Sequence, residues 1–277
     1  MTPGIHQISA ADYHADPIPV GSLSNSIAQL LIDKSPYHAR LQHPRLNPAY
    51  KPHNSGDFDL GTAAHAMLLE GDDSGLVLIE ADNYRTKAAQ EARDGAYAAG
   101  KTPVLERQYE AIQLMVSAAN AFIVETEIAD EWDNGKSEQT VIWKEGDSWC
   151  RARPDRLCET LIVDYKTTTD AAPHAFSRQI IRMGYHFQAS FYQRGIRAVD
   201  GSTRPFLFLA QEVEAPYACS LHGVAPSLQE LADMQVASAI RQWRECVATN
   251  DWPAYTTRVH YAEAPAWMID RAMEDDE

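Results

Sequence analysis

Positive charge is scarce in this chain of 277 residues: 24 Lys and Arg stand against 39 Asp and Glu, a net charge of −15. That balance excludes a protein that coats nucleic acid through overall basicity, because phosphate binding draws on Lys and Arg with release of counterions. Any contact with a polyanion must come from a local basic stripe. Cysteine is sparse as well. The four present, Cys150, Cys158, Cys219 and Cys246, show no Cys-x-x-Cys spacing, which argues against zinc or a disulfide framework and for buried thiols. No apolar run approaches membrane-spanning length. The start, Met1 to Gln7, lacks the charged and apolar regions of a signal peptide, so a cytoplasmic protein is expected. No Gly/Ser-rich or charged linker, internal repeat or low-complexity segment divides the chain. One domain is expected over 1–277, with a helical segment at about 20–130, a core at about 131–250 and a tail at 251–277. The acidic end, Glu274 to Glu277, reads as a solvated terminus.

What is present centres on Arg153 to Thr168. Leu161-Ile162-Val163 is a short apolar run suited to a buried strand. Alternation along it sends Asp164 and Lys166 to one face and Tyr165 to the other. Asp155 ends the preceding segment, and a hairpin turning near Cys158-Glu159-Thr160 brings it back beside Asp164. Two hard oxygen ligands then converge, which suits Mg²⁺ or Mn²⁺ rather than zinc. Taken alone, an Asp and a Lys two apart on a strand are an ordinary solvated ion pair.

The segment does not stand alone. Pro154-Asp155 and Asp164-Tyr165-Lys166 match the PD-(D/E)xK nuclease signature. Gly61-Thr62-Ala63-Ala64-His65-Ala66-Met67-Leu68 resembles the Gly-x-x-x-His-x-x-Leu helix of one branch of that superfamily. Gly184 to Tyr192 resembles its Gln-x-x-x-Tyr helix, with Gln188 and Tyr192 one turn apart on one face. Together these resemble the phage and prophage RecE-type exonucleases (exonuclease VIII), whose nuclease domain is akin to that of RecB. Weaker matches extend the resemblance from about Leu23 to Trp267. They include Glu138 at the edge of the site, Leu23 to Ile27 followed by Ser35-Pro36, Arg85 to Ala92 with Gly100-Lys101, and Trp252-Pro253 with Pro265 to Trp267.

The resemblance implies a set of roles. Asp164 is the principal metal ligand, with Asp155, His65 and the Tyr165 carbonyl completing the site. Lys166 acts on the attacking water and the transition state, and Glu138, Gln188 and Tyr192 line or support the centre. The cation implied is Mg²⁺, with Mn²⁺ also working. The basic stripe toward DNA is drawn from Arg85, Lys87, Lys101, Arg153, Arg156 and Arg182, with Arg93, Arg151 and Arg178 as further candidates. The implied substrate is the end of linear double-stranded DNA, digested from the 5′ end to leave a 3′ overhang. A closed homo-oligomeric ring, tetramer before trimer, and a single-strand annealing protein as partner follow from the same resemblance, in the cytoplasm of a bacterial or phage-infected cell. A structure-specific or restriction-type endonuclease, or a catalytically idle DNA-binding protein, are the alternatives.

The coarse pattern agrees with an α/β fold of PD-(D/E)xK type, a central mixed sheet flanked by helices. Helices are predicted near residues 24–34, 61–70, 86–99, 104–128, 173–183, 184–199 and 227–249, and strands near 138–143, 148–154, 160–166, 204–213 and 217–222. Ser22 or Ser24 caps the first helix and Pro36 closes it.

Overall fold

The computed structural model describes residues 1–51, 60–71, 73, 75–99 and 101–274. Gly100 and the acidic residues Asp275 to Glu277 lie outside the described residues. The chain begins with β1 (Gly4–His6), α1 (Ala10–His14), β2 (Leu23–Ser24), α2 (Asn25–Asp33) and α3 (Pro36–Leu41). Next come α4 (Leu60–Glu70), β3 (Leu76–Ile79), α5 (Lys87–Ala98), β4 (Thr102–Leu105), α6 (Glu106–Val124) and α7 (Ala129–Asn134). Five strands follow: β5 (Lys136–Ser137), β6 (Thr140–Glu145), β7 (Ser148–Ala152), β8 (Arg156–Leu157) and β9 (Ile162–Thr168). The chain closes with α8 (Pro173–Arg182), α9 (Tyr185–Asp200), β10 (Phe206–Glu212), β11 (Cys219–Gly223), α10 (Pro226–Thr249) and α11 (Ala266–Glu274).

Local chemistry accounts for several boundaries. Ser24 caps α2 by accepting from the Ile27 N–H, and Thr86 caps α5 through the Ala89 N–H; a side-chain cap of this kind contributes about 1 kcal/mol. Pro36 does more than end a helix. It occupies the first turn of α3 behind the Ser35 cap, where its missing N–H costs nothing. The helix predicted from residue 104 starts instead at Glu106, because Thr102–Leu105 pairs in parallel with Leu76–Ile79.

The single central sheet of the sequence reading is two mixed sheets, one ordered β1-β6-β7-β2 and one β11-β10-β9-β8-β5. Both arise from one bent antiparallel pair. β6 and β7 pair in the first sheet, with Val141 opposite Ala152, and β5 and β8 pair in the second, with Ser137 opposite Arg156. Between them the Glu138 N–H donates to the Asp155 carbonyl at 2.9 Å. Glu138 has φ 56°, and Pro154 has no N–H to offer a ladder, so neither strand runs on flat and the pair turns from one sheet into the other.

α9 lies between the sheets' core and α10. Trp143, Phe176, Phe191, Phe208, Val236, Ile240 and Trp243 share one buried cluster there. Gly195 is what allows α9 to approach β6, since a Cβ at that position would sit 2.7 Å from Trp143 Cζ3. The other face of the second sheet buries Val163, Tyr165 and Leu209 with Ile123 and Trp132. Thus β9 alternates as predicted: Ile162 faces the α9 side and Val163 and Tyr165 the opposite side. All four cysteines are free thiols. Burial raises Cys158 and Cys219 to about 11, so both stay protonated at neutral pH. Among the described residues, no helix is long and apolar enough to cross a membrane.

Candidate active site

Three elements converge on one point. In the β8–β9 hairpin Arg156 pairs with Val163 and Leu157 with Ile162, which sets Asp155 across from Asp164. Asp155 Oδ2 accepts the Tyr165 N–H at 2.8 Å, so the backbone of β9 orients the carboxylate that the turn delivers. α4, packed through buried Ala63 and Ala64 against α6, presents His65. Its Nε2 lies 3.1 Å from Asp155 Oδ2 and 3.8 Å from Glu138 Oε1. Ligand atoms of His65, Glu138 and Asp155 all fall within 4.8 Å of one another.

Asp164 stands beside this cluster, fully buried. Its Oδ1 accepts from Gln188 Nε2 on α9 at 2.7 Å. Its Oδ2 ion-pairs with Lys166 Nζ but finds no well-directed hydrogen bond. The Tyr185 ring lies 4.9 Å from the same ammonium. Next to these groups is a cavity of about 370 Å³ lined by Gly61, Thr62, His65, Tyr165, Lys166, Thr167 and Tyr185.

The electrostatics are those of carboxylates short of positive charge. Burial, then repulsion from Asp155, pushes the Asp164 carboxyl up to about 6, against the pull of Lys166 and His65. Glu138 is raised for the same two reasons. Burial works to lower Lys166, but Asp164 and Asp155 outweigh it and leave the ammonium more firmly protonated than usual. His65 behaves likewise: Asp155, Glu138 and Asp164 overcome the effect of burial and raise it. A divalent cation would relieve this strain in charge. Oxygen donors from Glu138 and Asp155 with one imidazole, and the Asp164 carboxylate beside them, fit a hard ion such as Mg²⁺ or Mn²⁺.

The other predicted residues divide. Tyr192 is buried with its ring edge on Phe206 at 5.9 Å, and burial holds its hydroxyl protonated. The Tyr165 hydroxyl donates to Gln211 on the sheet's far side. Arg85, Lys87, Lys101 and Arg182 are exposed. Arg153 and Arg156 are not part of an outer stripe. Arg153 ion-pairs with Glu138 and donates to Ile8 O at 2.9 Å and Thr140 Oγ1 at 3.2 Å. Arg156 donates to Trp132 O and Ser137 Oγ, each at 2.8 Å, with its guanidinium over the Trp132 ring. Their donors serve the protein itself, Arg153 by holding Glu138 at the bend. Arg151 is likewise buried, 3.0 Å from Asp16. Sequence reasoning missed Tyr185, although it lies three residues before Gln188 and therefore on the same helical face.

Residues 32–265 match the family described as a PDDEXK-like domain of unknown function, DUF3799. A comparison with curated proteins gives no match. Among solved structures the chain is similar to a candidate exonuclease of Eubacterium rectale, at 13% identity and a TM-score of 0.61, over 96% of this chain and 98% of that one. An alkaline exonuclease of Laribacter hongkongensis matches at 14% identity and a TM-score of 0.30, over 78% of this chain and 94% of that one. The first likeness supports the fold; the second is too distant to add to it.

Proposed function

The chain belongs to the PDDEXK-like domain family, and from that premise we propose that it is a Mg²⁺-dependent exodeoxyribonuclease acting on the ends of linear double-stranded DNA. The observation that carries this reading is the convergence of His65, Glu138 and Asp155 beside the Asp164–Lys166 pair at the wall of an open cavity. His65, Asp155 and Asp164 would hold the cation, with Glu138 and the Tyr165 carbonyl as further donors. A bound divalent cation supplies Lewis acidity, a more acidic water and neutralisation of phosphoryl charge.

The remaining chemistry belongs to the side chains. Lys166, whose Nζ pairs with Asp164, orients or helps deprotonate the attacking water and offsets charge growing on the phosphoryl oxygens. Gln188 fixes one oxygen of Asp164, leaving Oδ2 to face Lys166. Arg153 holds Glu138 in the cluster. The Tyr185 ring shields the ammonium on one side.

Digestion from the 5′ end to a 3′ overhang, a closed ring of four or three subunits, and transfer of the overhang to a single-strand annealing protein complete the proposal. They rest on the resemblance to RecE-type enzymes. A ring threaded by DNA would give processivity without a tight grip, which suits a net charge of −15. Digestion of linear duplexes labelled at the 5′ or the 3′ end, with a covalently closed circle as control, tests the reading. Early release of 5′ label and an intact circle are expected. A cut circle would make the enzyme an endonuclease.

A further inference from the structure

A second feature opens on α2 and α3, away from the His65 cavity. One cavity of about 360 Å³ is walled by Leu30, Lys34, His38 and Leu41, and another of about 190 Å³ by Tyr13, His14, Arg151 and Tyr192. Ser26, Ile27, Gln42 and Tyr50 belong to both walls, so the two form one trough. Its inner end reaches Tyr192, one turn along α9 from Gln188, which holds Asp164.

The charge along this trough is unlike the rest of the chain. From Lys34 to Lys51 there are four Lys and Arg and no Asp or Glu, in a protein with 39 acids among 277 residues. Lys34, Arg45 and Lys51 are exposed. Aromatic rings are interleaved with these cations. Tyr50 and His38 line the trough, Tyr37 stands exposed beside them, and Tyr255 packs on His38 at 5.5 Å. At the inner end, Arg151 Nε and Asn25 Oδ1 are buried without hydrogen-bond partners. Lys34 lines the trough, and Arg45 and Lys51 adjoin its lining residues Pro44 and Tyr50 in sequence; cations with aromatic faces between them are what an unpaired nucleic-acid strand requires, phosphates meeting the cations and bases stacking on the rings.

We propose that this trough binds a single nucleic-acid strand and leads it to or from the catalytic cavity, an assignment that rests on the nuclease reading above. Stacking on these rings needs bases with free faces, so the strand is unpaired where it lies there.

The test is fluorescence anisotropy of a labelled single-stranded DNA of roughly 12 nucleotides, the span of one strand-binding site, titrated in chelator over a range of salt. The double variant Lys34→Glu, Lys51→Glu is expected to bind at least roughly tenfold more weakly, with a salt dependence shallower by about 1.4 in logarithmic slope. Tyr50→Ala is expected to weaken binding by roughly tenfold with the slope unchanged, since it removes stacking and no charge. Both variants should hydrolyse bis(4-nitrophenyl) phosphate with Mn²⁺ like the parent protein, because so small a diester reaches the cavity without the trough. Parental affinity and slope in the double variant, with that hydrolysis intact, would overturn the trough and leave the nuclease reading standing. Loss of strand binding in a protein inert toward every phosphodiester would instead sink the nuclease reading and keep the strand site.

Discussion

Gln188 on α9 and Asp164 on β9 are joined across the seam between helix and sheet, Gln188 Nε2 donating to Asp164 Oδ1 at 2.7 Å. The bond reserves one oxygen of the carboxylate and orients the other. Replacing Gln188 with Leu leaves a buried oxygen unpaired beside the proposed cation site. Loss of such an outer partner costs about 10- to 100-fold in metal affinity or activity. Mn²⁺ calorimetry alongside DNA digestion checks it; unchanged values in both would show that Gln188 only packs.

On the proposed mechanism, removing Lys166 separates binding from turnover. Its ammonium faces Asp164 and is strongly protonated. Lys166→Ala should lower kcat by about 10²- to 10³-fold. Mn²⁺ affinity should hold or improve, because a competing positive charge has gone. A parallel loss of metal affinity and turnover would move Lys166 into a structural role.

If His65 is a ligand as proposed, metal binding depends on pH. Its folded pKa lies above the ordinary histidine value of about 6.5 because Asp155, Glu138 and Asp164 outweigh its burial. Metal binding must displace that proton, so apparent Mn²⁺ affinity should rise with pH through neutrality, with proton release in calorimetry. In metal-free protein the sign is opposite. The protonated His65–Asp155 pair stabilises the fold fully below about pH 6.5 and loses this contribution as pH climbs through the raised pKa. The difference in Tm between the parent and His65→Ala should therefore be largest near about pH 6 and shrink toward about pH 9. A pH-independent difference would make His65 a packing residue.

Gly195 sets the spacing of α9. A methyl group there would meet the Trp143 ring at 2.7 Å, and overpacking of this kind costs about 1–3 kcal/mol. Urea unfolding of Gly195→Ala should show that loss despite alanine's higher helix propensity. An unchanged or raised midpoint would mean that Trp143 has room to move.

Much of the site was legible because it is local. Alternation along residues 161–166 placed Asp164 and Lys166 on one face, and the hairpin turn placed Asp155 opposite them. The helical spacing of Gln188 and Tyr192 was equally plain. The rest depended on contacts between distant residues. Arg153 and Arg156 looked like surface cations, since nothing nearby in sequence announces Glu138 or the Trp132 carbonyl as their acceptors. The split into two sheets turns on Glu138 adopting φ 56°, a conformation its residue type does not suggest. Val104 and Leu105 read as helix because their partner strand lies across the whole of α5. The sequence of α11 reads as tail, since its Trp267 and Met273 are exposed and no buried face gives it a helical period.

The decisive measurement compares the parent protein with Asp155→Ala and Asp164→Ala on end-labelled linear duplex DNA, with Mg²⁺ and with chelator, each variant first shown to be folded by circular dichroism. Each substitution removes a proposed cation ligand and little core packing; on this account the parent digests DNA only with Mg²⁺. Both variants should lose activity by at least about 10³-fold. Full Mg²⁺-dependent digestion by either folded variant, or digestion by the parent in chelator, would contradict the assignment of this cluster as the catalytic metal centre.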